Sequence, residues 1–137
     1  MASLSRIGPG ILQVIYVSTA TAPLSPEELT ALSTRARARN AAQGLTGFLF
    51  HQPPRFYGVL EGPERKVLAR MEVIATDPRH RGLTVLREEC VAEARYRNWA
   101  FGLLPQARPG SECAISAEFV YSLAGLGGVL PGRRPRR

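Results

Sequence analysis

Apolar and polar positions along the chain change period several times, and each change marks an element. Ile11 to Ser18 reads ILQVIYVS and starts just after Gly8-Pro9-Gly10, which predicts a strand. Leu12, Val14 and Tyr16 fall on one of its faces, and Gln13, Ile15 and Val17 on the other. Both faces are mostly apolar, as in an inner strand covered on both sides. Ser25-Pro26-Glu27-Glu28 opens a helix: Ser25 caps it, Pro26 suits its first position, and Glu28 completes a capping box. Leu29, Leu32, Ala36 and Asn40 follow at helical spacing, and Gly44 ends the helix. Leu45 to Phe50 is a second strand and Arg55 to Leu60 a third. A turn over His51-Gln52-Pro53-Pro54 joins them, because paired prolines cannot sit inside a ladder. Glu61-Gly62-Pro63 then opens a second helix, whose buried face is Val67, Leu68, Met71, Ile74 and Ala75. Asp77-Pro78-Arg79-His80 closes it. A fourth strand lies within Leu83 to Tyr96, a short fifth within Trp99 to Leu104, and a final short helix within Cys113 to Leu123.

The order β-α-β-β-α-β-β with a helical tail predicts an α+β, ferredoxin-like sheet with two helices on one face. The short C-terminal helix would cover part of the other face. No internal repeat or linker splits the chain. The expected organisation is a main domain over 1–110, a helical cap over 111–130 and a disordered basic tail over 131–137.

Composition changes this picture little. The 137 residues are one domain's worth, and hydrophobic (45%) and charged (21%) shares fit an ordinary globular protein. No apolar run is long enough to cross a bilayer, and the first residues alternate like a strand rather than a secretory leader, so the protein is read as cytoplasmic. Cys90 and Cys113 lack metal-site spacing, and His51 and His80 lack ligand partners, so no metal is expected. The net charge is +7, but all basic residues except Lys66 are arginine, and four of them (Arg133, Arg134, Arg136, Arg137) sit in the tail. With no recognition motif beside that charge, neither specific nucleic-acid binding nor a membrane partner is expected.

Four segments carry a resemblance. They are Ile15-Tyr16-Val17-Ser18, Asn40-x-x-x-Gly44-Leu45-Thr46-Gly47, Phe56-Tyr57-Gly58-Val59-Leu60-Glu61-Gly62 and Ile74-Ala75-Thr76-Asp77-Pro78-Arg79-His80. A looser fifth is Arg95-Tyr96-Arg97-Asn98-Trp99-Ala100-Phe101-Gly102. In order and spacing the set resembles the BLUF family, blue-light sensors that hold FAD between two helices above the sheet. The resemblance implies that Tyr16 gives an electron and a proton to the excited flavin. It implies that Asn40 meets the N3 and C4 carbonyl edge, and that Asp77, Arg79 and His80 lie near the ribityl side and the ring's far edge. Trp99 joins Tyr16 and Gly58 at the photoactive positions.

Three departures stand out. The family motif Phe-x-Gln-x-Leu-Glu-Gly has Gly58 at its glutamine, which relays between tyrosine and flavin. Phe101 stands where many members carry methionine, and Val73 where some carry a flavin-facing arginine. Tyr57 points to the opposite face by strand alternation, and Gln52 lies too far off in the turn. Gly58 is expected to leave an empty space, or room for a ring close to the strand. The expected function is an FAD-binding sensor without catalysis that signals through a downstream protein partner or by self-association, with its photocycle impaired or lost. A flavin-free protein-interaction module on the same scaffold is the alternative.

Overall fold

A computed structural model describes residues 10–105 and 115–126. The elements are β1 (Ile11–Ala20), α1 (Pro26–Ala42), β2 (Thr46–Gln52), β3 (Arg55–Pro63), α2 (Glu64–Ala75), β4 (His80–Val91), β5 (Trp99–Leu103) and α3 (Ala117–Ser122). The five strands form one sheet in the order β4-β1-β3-β2-β5. β1, β3, β4 and β2 pair antiparallel, and β5 joins the outer edge of β2 in parallel. This is the predicted β-α-β-β-α-β-β, ferredoxin-like arrangement, with the short fifth strand in place.

β1 serves two cores through alternate residues. Leu12, Val14 and Tyr16 pack with Leu45, Leu60 and Trp99 under Val67 of α2. Ile15 packs on the other side with Phe48, Phe50, Tyr57 and Val59 under Ala117 and Val120 of α3. The α1 start is as expected: the Ser25 side chain accepts from the Glu28 N–H at 3.0 Å, and the Glu28 carboxylate accepts from the Ser25 N–H at 2.7 Å. Gly44 at φ +73° ends the helix, a backbone that favours glycine. Gly47 is required by close approach: a Cβ there would lie 2.0 Å from the Val59 carbonyl oxygen.

Several boundaries differ from expectation. β2 runs on through His51 and Gln52, which pair with Phe56 and Arg55. Only Pro53 and Pro54, across a cis peptide bond, make the turn. The two prolines suffice as the connection, so the flanking residues stay in the ladder. β3 likewise continues to Pro63, which makes Glu61 a strand residue. On α2, Leu68 is 40% exposed and Ala75 is also exposed; Val67 is buried, and Met71 and Ile74 are partly so. β4 begins at His80 rather than Leu83. Cys113, the predicted boundary at 110/111 and the 131–137 tail lie outside the described residues.

Glu61 ties the sheet to the chain leading into β5. It is fully buried and accepts from Gln13 Nε2 at 2.6 Å and from the backbone N–H groups of Arg95 and Tyr96, each at 2.9 Å. Gln13 in turn accepts from the Tyr121 hydroxyl, and the Arg95 guanidinium lies 3.8 Å from the Tyr121 ring centre. A chain of polar contacts therefore connects β3, β1 and α3 on the face away from α1 and α2.

Candidate functional site

Between α1 and α2, above the sheet, lies a cleft of about 760 Å³ counted to its open mouth. Its floor is built by Tyr16 and Ser18 of β1, Leu49 of β2, Phe56 and Leu60 of β3, and Trp99 of β5. Leu32, Ala36 and Asn40 recur every four residues along α1 and form one wall. Arg70, Val73 and Ile74 of α2 form the other, and Asp77, Arg79 and His80 close the end.

Tyr16 and Gly58 are direct cross-strand partners, so the tyrosine ring lies over the glycine. A Cβ on Gly58 would stand 2.2 Å from the ring's Cζ and 2.5 Å from its hydroxyl. The expected empty space at Gly58 is therefore absent; the Tyr16 ring fills it. Gly58 backs the cleft without lining it. The register of β1 against β4 shifts between Ile15 and Tyr16, an irregularity of the kind that re-aims side chains beside sites. Burial pushes the Tyr16 phenol well above its ordinary pKa, and the Arg70 charge pulls it partly back.

Buried polar groups without a partner are rare in folded proteins and call for an explanation. Among the described residues four such side-chain atoms occur: Asn40 Oδ1, Arg70 Nε, His80 Nδ1 and the Tyr96 hydroxyl. The first three belong to cleft residues. Asn40 is only 4% exposed, and its backbone carbonyl, not its side chain, receives the N–H groups of Gln43 and Leu45 at the helix end. Capping by the Asn40 side chain is thus not what the structure shows. His80 donates from Nε2 to the Ile74 carbonyl at 2.6 Å, which fixes the ring and leaves Nδ1 unmet. Asp77 and Arg79 pair at 2.6 Å, and the arginine holds the Asp77 carboxyl below the usual carboxylate range. Arg70 has its pKa lowered by burial and by the neighbouring Arg39, with Tyr16 opposing.

The structure thus brings Tyr16, Asn40, Asp77, Arg79, His80 and Trp99 to one cleft, with Gly58 behind Tyr16. Tyr57 does face the other way, edge-on to Phe119, and Gln52 is held there by Tyr57 and the Pro105 carbonyl. Sequence reasoning missed Arg70 and Arg39. The signal for Arg70 was available: it lies at i+3 from Val67 and i−4 from Ile74, on the stripe that faces inward.

Comparison with known proteins agrees with this geometry. Residues 11–102 match the family described as BLUF, sensors of blue light using FAD. The chain belongs to the BLUF family. It is 37% identical over 95 residues to photoactivated adenylate cyclase subunit beta of Euglena gracilis, covering 69% of this chain and 11% of that protein. The chain therefore spans about a tenth of the length of that curated relative. Klebsiella pneumoniae BlrP1, solved with FMN and cyclic diGMP, is 32% identical with a TM-score of 0.62, over 69% of this chain and 26% of that one. The dark-state structure of BlrB, at 20% identity and a TM-score of 0.64, covers 85% of this chain and 80% of that one and shares the fold. Among the described residues no helix is long and apolar enough to cross a membrane.

The cleft's chemistry fits the cofactor that defines BLUF proteins. An isoalloxazine is flat, largely apolar on its faces, and carries an imide N–H between carbonyl acceptors at one edge. Asn40 Oδ1 needs a donor, Arg70 Nε needs an acceptor, and the cleft between them is lined by apolar and aromatic side chains.

Proposed function

We propose that this BLUF chain holds FAD in the α1–α2 cleft as a sensor without catalysis, and that the family's usual photoproduct is lost or altered in it. The observation that carries the reading is that three residues lining a cleft floored by Tyr16 each hold a buried polar atom without a partner. When bound, the flavin supplies blue-light absorption and an oxidising excited state. Tyr16 keeps its proton well into alkaline pH because burial disfavours the phenolate, so it acts as a donor toward the cleft. Asn40 would accept from the ligand's imide N–H through Oδ1, and His80, held by Ile74, would offer Nδ1 as an acceptor at the cleft's end. Asp77 orients Arg79 at the cleft's end. Trp99, 7% exposed, supplies apolar floor.

Gly58 has no amide to switch, and the Tyr16 ring occupies the volume in which a side chain would start. Neither Gln52 nor Tyr57 substitutes, since both are committed on the far face. The light-induced rearrangement that depends on an amide between phenol and flavin is therefore missing. Output passes to a downstream protein partner or through self-association; the resemblance to a subunit of a photoactivated cyclase supports the former.

An absorption spectrum of the purified protein before and after blue light tests the reading. A yellow protein that shows no reversible red shift supports it. A full red shift that recovers in the dark contradicts the impaired photocycle. A colourless protein that takes up no added FAD contradicts the cofactor assignment and leaves a flavin-free interaction module.

A further inference from the structure

We propose that Arg70 is the flavin-anchoring donor of this chain, giving the bound ring beside Tyr16 a charged hydrogen bond that Gly58 cannot provide. The inference rests on the FAD reading above and deepens it. Arg70 lines the cleft from α2, and its Nε is buried without an acceptor. An unmet buried N–H of a guanidinium is destabilising by itself and persists where a ligand completes it. The neighbouring charge is of the wrong kind: Arg39 is also cationic and lines the same cleft. Tyr16, the other group acting on Arg70, is held as a neutral phenol. With Asp77 paired to Arg79, the guanidinium groups of Arg70 and the exposed Arg39 favour an acceptor-rich or anionic occupant. Val73, on the next turn of α2, is apolar and 50% exposed, so it adds no donor. Arg70 thus offers α2's side of the cleft a cationic donor close to the phenol, next to the place where β3 carries only a hydrogen.

Titration of the flavin-stripped full chain with FAD, comparing wild type, Arg70→Met and Arg70→Lys, tests the assignment. Loss of one charge-assisted hydrogen bond corresponds to roughly a tenfold or greater rise in Kd, which is the result expected for Arg70→Met. Arg70→Lys keeps the charge but loses Nε and the planar fork, and is expected to bind several-fold weaker than wild type. Both variants are expected to displace the absorption maximum of the bound flavin, because the donor touches the chromophore. Without ligand, Arg70→Met is expected to melt no lower than wild type, since it removes an unmet buried donor. Unchanged affinity and spectrum in Arg70→Met, with wild type binding FAD, overturns this inference and leaves the FAD reading standing. No uptake by wild type overturns both. If Arg70→Met melts lower without ligand, Arg70→Lys decides: native folding with weakened FAD binding supports the inference, and native affinity overturns it.

Discussion

The face of the sheet under α3 and the face under α1 and α2 use alternate residues of the same strands, yet they treat buried polar atoms differently. Under α3, Glu61 is fully enclosed and still satisfied, by Gln13 and two backbone N–H groups. Gln13 spends its other end on Tyr121. The Tyr96 hydroxyl is the one unmet atom there among the described residues, and burial pushes its pKa up to about 12. Under α1 and α2, Asn40, Arg70 and His80 each keep an unmet atom at one cleft. A face that closes its own hydrogen bonds holds the fold together, whereas a face that leaves them open is shaped for something the chain does not contain.

The contrast breaks most severely at Glu61. Replacing it with alanine strands two backbone N–H groups and the Gln13 amide in a closed interior. Urea unfolding is expected to show a loss of about 3–5 kcal/mol, the scale of leaving three buried donors unsatisfied at roughly 1–3 kcal/mol each with partial relaxation. A loss below about 1 kcal/mol would mean that water reaches this face. Next comes Gly58→Ala, whose methyl collides with the Tyr16 ring. The expected cost is about 1–3 kcal/mol, typical of an overpacked interior. It should shrink in a Tyr16→Val background, because the ring is the obstacle. Equal costs in the two backgrounds would contradict the packing described. Tyr121→Phe keeps the ring under Arg95 and removes only the hydroxyl bonded to Gln13. A loss of about 1 kcal/mol is expected, one ordinary hydrogen bond.

The smallest effect belongs to Asp77→Asn. The Asp77–Arg79 pair is partly exposed, so wild type should exceed the variant by no more than about 0.5 kcal/mol at neutral pH. Arg79 lowers the carboxyl's folded pKa, so the advantage is present above the unfolded value near ~3.9 and is lost as pH falls through the lower folded one. Thermal melts of both proteins between neutral and strongly acidic pH check the sign.

Local rules located most elements. The Ser25–Glu28 box, the alternation of β1 and the helical stripe ending at Asn40 each recur in the structure at the expected place. Local rules failed where distant contacts decide. Glu61 reads as part of an E-G-P turn, and only the approach of Arg95 and Tyr96 makes it a buried strand residue. Leu68 reads as core but is 40% exposed, while Arg70, a charge on the inward stripe, lines the cleft. The Tyr16 ring over Gly58 was within reach of a register argument, since pairing the two strands antiparallel sets the aromatic against the glycine. Tyr16, Asn40, Asp77, Arg79, His80 and Trp99 came from the ordered motif set, because motif spacing encodes which strand and helix ends meet.

FAD titration of the stripped chain tests most directly whether the open face is a binding site and the closed face a scaffold. The account predicts saturable uptake of one FAD per chain, weakened roughly tenfold in Asn40→Leu and unchanged in Tyr121→Phe. Failure of the wild-type chain to bind, or equal affinity in Asn40→Leu, would contradict it.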